Sequence, residues 1–229
     1  MHIPDGYLGP ATCGIFYAVM LPIWTIASKV VKKVLKARQV PMLAIGAAFS
    51  FVVMMFNVPI PGGTTGHAVG AVLVAILLGP WAACIAVTVA LVVQAILFGD
   101  GGITAIGANC FNMAFVEVFT GYYLYKLISG SSSVASGRRI VAAGIAGYVA
   151  LNIAALSTAI MFGIQPLLHQ TVSGYSLYCP YGLNVAIPAM LGEHLLIFGW
   201  VEGVITALVF KYLQKQDPSL LELKKEVVA

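Results

Sequence analysis

Residues 66–98 read GHAVGAVLVAILLGPWAACIAVTVALVVQAILF. The stretch holds no Asp, Glu, Lys or Arg, and one Gly-Pro pair, Gly79-Pro80, divides it. A transmembrane helix needs ~20 mostly apolar residues, and Gly-Pro marks a turn. The stretch therefore reads as two spans, 66–79 and 80–98, joined by a tight turn, the first short for a full crossing. Working outward, further apolar runs lie at 11–31, 40–57, 103–127, 139–163 and 186–212. The expectation is an all-α membrane protein, a seven-transmembrane-helix bundle. Composition agrees: 60% of residues are hydrophobic and 9% charged, against about 25% charged in a soluble domain. Such a chain cannot cover a water-facing surface. At 229 residues it leaves no room for a separate soluble catalytic domain.

Charge sets the expected orientation, because cytoplasmic loops are enriched in Lys and Arg. The 12 basic residues form three clusters. Lys29, Lys32, Lys33, Lys36 and Arg38 follow the first span. Lys126, Arg138 and Arg139 flank the fifth-to-sixth connection. Lys211, Lys215, Lys224 and Lys225 close the chain. An odd number of spans with all three clusters inside puts the N-terminus outside and the C-terminus in the cytoplasm. Loops 57–65, 99–102 and 164–185 then face out, and none carries Lys or Arg. The division expected is a metal-binding bundle over 1–212 and a charged cytoplasmic tail over 213–229. The net charge of +4 is thus an orientation signal that implies a lipid bilayer, not nucleic acid. The start is not a signal peptide, since its basic cluster follows the apolar run. Cys13, Cys84, Cys110 and Cys179 show no CxxC spacing. Ala44/Ala48, Gly66/Gly70 and Ala142/Ala146 are small pairs of the kind that let membrane helices approach.

Met1-His2 carries the chemistry. A free α-amine, the His2 amide nitrogen and one His2 ring nitrogen close two fused chelate rings around one ion. Nitrogens in a plane suit Cu(II) or Ni(II). A histidine at position 2 leaves the fourth equatorial place open, whereas one at position 3 would fill it. His67 shares the expected outer face with His2 and follows Pro61-Gly62-Gly63-Thr64-Thr65-Gly66, so it is the first choice for that place. His194, about two turns inside the seventh span, is the second. His169, in a long outer loop, reads as solvated.

Ligating imidazoles donate their other N–H to a carboxylate or carbonyl. Glu193, Asn109, Asn112, Asp5 and Asp100 are candidates, with Asp5 also suited to the Pro4-Asp5-Gly6 turn. Asn109 and Asn112 lie one turn apart and should share a face. Glu193 and Glu202 are nine residues apart, which at about 100° per residue faces them to opposite sides of the seventh helix. Glu117 and Glu202 read as interhelical hydrogen-bonding groups ahead of a proton relay.

The segment Met-His-Ile-Pro-Asp-Gly-Tyr-Leu at 1–8 resembles the start of the NikM/CbiM family, the substrate-binding (S) components of energy-coupling-factor nickel and cobalt transporters. Pro-Gly-Gly-Thr-Thr-Gly-His at 61–67, Leu-Gly-Pro-Trp at 78–81, Phe-Gly-Asp-Gly-Gly-Ile at 98–103 and Gly-Ala-Asn-Cys-Phe-Asn-Met at 107–113 match it too. The resemblance implies an N-terminus inserted into the bundle from outside. It implies a square-planar site made of the Met1 amine, the His2 amide, the His2 ring and the His67 ring, for Ni(II) or Co(II) as transported substrate. It also implies one helix more than the six usual in such components. The implied partners are a transmembrane coupling (T) component, two ATPase subunits and a small accessory membrane protein, in the plasma membrane of a prokaryote. Some relatives carry the accessory segment fused at the C-terminus; this sequence ends at Ala229 without it.

The residues agree on the energy source. No GxxxxGK[ST] occurs, so this chain has no P-loop for ATP. The expectation is a metal-capture subunit of an importer and not an enzyme. A self-sufficient proton-coupled transporter using Glu117, Glu193 and Glu202 is the alternative, but secondary transporters often show internal repeats and none is found. An intramembrane metalloenzyme ranks last, because there is no HExxH and a four-nitrogen plane leaves no open position for a reacting water.

Overall fold

A computed structural model describes residues 1–34 and 40–221. Lys36, Arg38, Lys224 and Lys225, and the last part of the 213–229 tail, lie outside the described residues. Helix α1 is Pro10–Val34 and α2 is Val40–Met54. A two-stranded hairpin follows, β1 Val58–Pro59 and β2 Thr65–Gly66, antiparallel with Val58 opposite Gly66. Helix α3 is Ala71–Leu78 and α4 is Pro80–Val93, continued by a π-helical stretch Gln94–Phe98. Helix α5 runs Ile106–Asn109, winds as a π-helix over Cys110–Glu117 and returns to α over Val118–Ser129. Helix α6 is Gly137–Gly163 and α7 the short Gln165–Leu168. Helix α8 is Leu183–Glu193, a π-helical stretch His194–Phe198, then Gly199–Gln216.

Local sequence explains the breaks. Pro10 and Pro80 open their helices, where a missing N–H costs nothing. Gly79 sits at φ 83° between α3 and α4, a conformation that favours glycine, so the Gly79-Pro80 turn lies where the sequence puts it. Lys32 and Lys33 close α1, where cations suit the negative end of the helix dipole.

Among the described residues, four helices are long and apolar enough to cross a membrane: Pro10–Lys33, Pro80–Phe98, Gly137–Leu168 and Leu183–Gln216. The other three expected spans are helical as well, but α2 has 15 residues and α3 only 8. The 66–79 reading shortens because residues 66–70 form the end of the hairpin and an irregular approach to α3.

Helix α6 is the spine. It packs along α8 and α5 through Ala142, Ala143, Ala146, Gly147 and Ala150, all buried. The α6–α8 contact is tight: a β-carbon at Gly203 would lie 2.8 Å from the Gly144 carbonyl oxygen. Small residues allow this approach of two backbones. Glu202, fully buried on α8, accepts from the Val69 and Gly70 N–H groups at 2.8 Å each. It thereby satisfies donors at the buried start of α3 that the helix cannot pair itself. The interhelical reading of Glu202 thus has a definite form. Glu117 is also fully buried, and its carboxylate has no hydrogen-bond partner among the described residues.

The reading that Glu193 and Glu202 face opposite sides needs correction. The π-helical stretch between them winds with i→i+5 bonds, so fewer degrees accrue per residue. Both side chains meet the 66–70 segment: Glu202 through the bonds above, Glu193 through its Cγ, which would lie 2.9 Å from a β-carbon at Gly66.

Candidate metal centre

The N-terminus lies inside the protein. Met1 and Ile3 are fully buried and His2 is 3% exposed, whereas chain ends are ordinarily loose and exposed. Backbone pairing accounts for the docking. The Met1 amine donates to the Thr65 carbonyl and, at 3.0 Å, to Thr65 Oγ1. The His2 N–H lies 3.2 Å from the same hydroxyl. Asn109 then clamps Ile3 from both sides: its Oδ1 accepts from the Ile3 N–H at 2.8 Å and its Nδ2 donates to the Ile3 carbonyl at 3.1 Å. The Gly102 N–H adds a second donor to that carbonyl at 2.8 Å.

Further along, the Asp5 carboxylate accepts from the Ile103 N–H at 3.1 Å, the Thr104 N–H at 2.8 Å and the Thr104 hydroxyl. The Thr104 hydroxyl bond holds its carboxyl below the usual aspartate value. Gly9 N–H donates to Gln165 Oε1 at 3.0 Å, and Cys179 N–H to the Tyr7 carbonyl at 3.1 Å. Loop 164–182 therefore folds back over residues 7–9. His169, expected to be solvated, is half-buried in that fold-back: its ring packs edge-on to Tyr178, and a β-carbon at Gly9 would clash with it at 2.4 Å.

Docking brings the rings of His2 and His67 together. They stack with centroids 4.5 Å apart and planes 27° apart. Hydrogen bonding assigns their nitrogens. Gln94 Nε2 reaches the Phe51 carbonyl at 3.5 Å, so Gln94 Oε1 is the atom that faces His2 Nε2 at 3.2 Å. An amide oxygen only accepts, so Nε2 carries the proton and Nδ1 the free lone pair. Nδ1 is the ring nitrogen that can close a six-membered chelate with the residue's own amide. His67 Nδ1 lies 3.0 Å from the Ala68 carbonyl and must donate to it, which leaves Nε2 as the lone pair. Both His2 Nδ1 and His67 Nε2 are buried without a hydrogen-bond partner. Buried polar atoms are nearly always paired, and one metal ion could accept from both of these neighbouring lone pairs.

Electrostatics favours the neutral, ligating forms. Burial pushes the Met1 amine well below its ordinary value. Burial, aided by the amine, pushes the His2 imidazole down to about 3. No set of three or more His, Cys, Asp or Glu side chains among the described residues could hold a metal. Any metal held here would need donors beyond those side chains, such as the Met1 amine or the His2 amide nitrogen.

The remaining candidates divide. His194 is fully buried, gives its Nδ1–H to the Met190 carbonyl at 2.7 Å and leaves Nε2 unpartnered. Asn109 acts on the N-terminal segment, as described. Asn112 does not: its Nδ2 lies 3.1 Å from Met161 sulfur and its Oδ1 has no partner. The π-helical winding begins at Cys110 and turns Asn112 off the Asn109 face. Glu193 is half-buried and its carboxylate makes no hydrogen bond among the described residues. Asp100 lies 3.5 Å from His2 Nδ1 and is held by Asn57. Burial pushes its carboxyl up, against the pull of the Met1 amine and Asn57. Thr65 and Gln94 were not anticipated. Gln94 had a signal, a lone amide in an otherwise apolar span; Thr65 had none beyond its place beside His67.

A helical bundle with unusually apolar helices, closing on its own N-terminal amine and two imidazoles, defines the class. The model of the family described as CbiM, cobalt uptake substrate-specific transmembrane region, matches residues 2–220, and the chain belongs to that family. It is 53% identical over 223 residues to the probable fused nickel transport protein LarMN of Lactiplantibacillus plantarum, with 96% of this chain and 66% of that protein covered. It is 47% identical over 230 residues to the putative metal transport protein MJ1569 of Methanocaldococcus jannaschii, covering 100% and 98%. With the fused nickel transport protein NikMN of Rhodobacter capsulatus it shares 49% identity over 229 residues, covering 100% and 66%. The chain thus spans just under two thirds of the length of the two fused relatives. A solved structure described as a transition metal transporter superposes with a TM-score of 0.91 at 53% identity, covering all of both chains.

Proposed function

We propose that this chain is the substrate-specificity subunit of an ATP-driven nickel or cobalt importer. In this reading it captures the divalent ion from outside in a four-nitrogen planar site. The ligands are the Met1 amine, the His2 amide nitrogen, His2 Nδ1 and His67 Nε2. The observation that carries the reading is the stacked His2–His67 pair with an unpartnered lone pair on each ring. The names of the relatives, nickel and cobalt transport proteins, support the cargo.

The ion is cargo, and the protein supplies ligands and their orientation. Gln94 and Ala68 fix the two tautomers, Asn109 and Thr65 hold the chelating backbone, and burial favours the neutral amine. Binding displaces the proton of the His2 amide, so affinity must fall in acid. The wider reading has seven spans, the N-terminus outside, residues 213–229 in the cytoplasm, and residence in a prokaryotic plasma membrane. Energy comes from two partner ATPase subunits acting through a transmembrane coupling component, with a small accessory membrane protein. Asn109 supports the site by holding its backbone. His194 is buried with an unpartnered Nε2, and no contact ties Asn112 or the Glu193 carboxylate to the ligands among the described residues.

Metal analysis with an absorption spectrum of the purified protein tests this. Wild type should hold one equivalent of metal, yellow and diamagnetic if it is planar Ni(II). A direct ligand outweighs the about 10- to 100-fold cost of losing an outer-shell partner, so His67→Ala should weaken binding by more than about 100-fold. Unchanged affinity in that variant removes His67 from the site.

A further inference from the structure

One carboxylate at this end of the bundle reaches from solvent to a ligating nitrogen. Asp100 follows Gly99, whose φ of 66° ends α4, and its N–H donates to the Gln94 carbonyl at 3.1 Å. Asn57 Nδ2 donates to Asp100 Oδ2 at 2.9 Å. That contact leaves Oδ1 turned toward His2 Nδ1, 3.5 Å away, with side-chain exposures of 19% for Asp100 and 2% for His2. Because His2 Nε2 holds the ring proton, a nitrogen lone pair and a carboxylate oxygen face each other with no hydrogen between them. A divalent cation in the gap would satisfy both atoms at once. No Lys or Arg competes for Asp100, since its contact with His2 is the only ion-pair contact among the described residues.

We propose that Asp100 is the capture site for the incoming hydrated divalent cation. The aqua ion is first held through its water shell at Asp100 Oδ1. One water then leaves as the bond to His2 Nδ1 forms; the Met1 amine, the His67 ring and the His2 amide nitrogen displace three more, the amide giving its proton to solvent, and the last two waters leave as the plane closes. The carboxylate is not consumed and drops out of the final set. This rests on the four-nitrogen reading and adds a step before it. For an ion that exchanges water slowly, the association rate is an outer-sphere association constant multiplied by the rate of water loss. Neutral imidazoles do little for the first factor. A carboxylate at the solvent edge raises it, because charge near a mouth concentrates counter-ions.

Stopped-flow mixing of the full-length protein in nanodiscs with Ni(II) or Co(II) salt, at low and high ionic strength, tests the step. Wild-type association should slow as salt rises. Asp100→Asn keeps the shape and an acceptor for Asn57, and should associate about ten-fold more slowly with a flattened salt dependence. Its dissociation rate and bound-state spectrum should match wild type, and Asp100→Glu should restore the rate. Salt-independent association of wild type overturns the proposal without any variant. So does Asp100→Asn that associates at the wild-type rate, or that loses affinity only through faster dissociation. The two readings fail separately. Equal binding by protein with a blocked amine sinks the four-nitrogen site, whereas amine-dependent binding with Asp100→Asn unaffected sinks only the capture step.

Discussion

Replacing Asn109 with Leu removes the clamp on Ile3 at nearly constant volume. The consequences follow from the bonds. The Ile3 carbonyl keeps the Gly102 N–H at 2.8 Å and stays satisfied. The Ile3 N–H loses its 2.8 Å acceptor and, in a residue with 0% exposure, finds no water. A buried donor left unpaired costs about 1–3 kcal/mol, or roughly 5- to 150-fold in the docking equilibrium of residues 1–9, at about 1.4 kcal/mol per factor of ten. Metal capture requires the docked state, so the apparent dissociation constant rises once docking ceases to be complete. Hydrogen exchange read by mass spectrometry is the direct assay, with peptides from residues 1–9 as reporters. Asn109→Leu should speed their exchange by about ten-fold or more within that range. Asn112→Leu is the control, because Asn112 touches Met161 and not the N-terminal segment; it should leave exchange at 1–9 unchanged. Wild-type protection in Asn109→Leu, or equal loss in both variants, refutes the idea that Asn109 holds the chelating backbone in place.

Two further outcomes follow from the same geometry. Gln94→Leu strips the acceptor from His2 Nε2–H and lets the ring proton move to Nδ1, where Asp100 accepts it, blocking the chelating nitrogen; Ni(II) affinity by equilibrium titration should drop about 10- to 100-fold, while Gln94→Glu, which keeps an acceptor, should recover most of it. The Asp5 carboxyl is held below its usual 3.8 by Thr104, so its hold on Ile103 and Thr104 is complete above 3.8 and lost as pH falls through the lower folded value. Protection of the Thr104 amide should persist on acidification to about pH 4 and decay only below it; decay beginning above pH 5 contradicts the assignment.

Much of the fold was legible because its signals are local. An uncharged stretch broken by Gly79-Pro80 reads as two helices and a turn, and residues 71–98 form them. That Met1, His2 and His67 meet was legible, because an amine, the next amide and a histidine at position 2 offer three nitrogens by covalent structure and ask for one outside partner; the structure stacks the His2 and His67 rings. What stayed hidden depends on winding and on meeting loops. The π-helical stretches at Gln94–Phe98, Cys110–Glu117 and His194–Phe198 carry no sequence mark. Regular 3.6-residue spacing therefore put Asn112 beside Asn109 and Glu193 opposite Glu202, and the wider π-helical turns undid both. Thr65 and Gln94 act through the N-terminal segment, which reaches them only after a hairpin, α4 and the 99–104 loop have converged. His169 became half-buried for the same kind of reason, since loop 164–182 closes over residues 7–9.

The reading stands or falls on the α-amine of Met1 as a ligand. Protein carrying an acetylated or still-formylated Met1, compared by metal analysis and absorption with protein whose amine is free, tests that directly. The free form should retain one equivalent of metal with the planar four-nitrogen spectrum, and the acylated form none. One tight equivalent with the same spectrum in acylated protein contradicts the site.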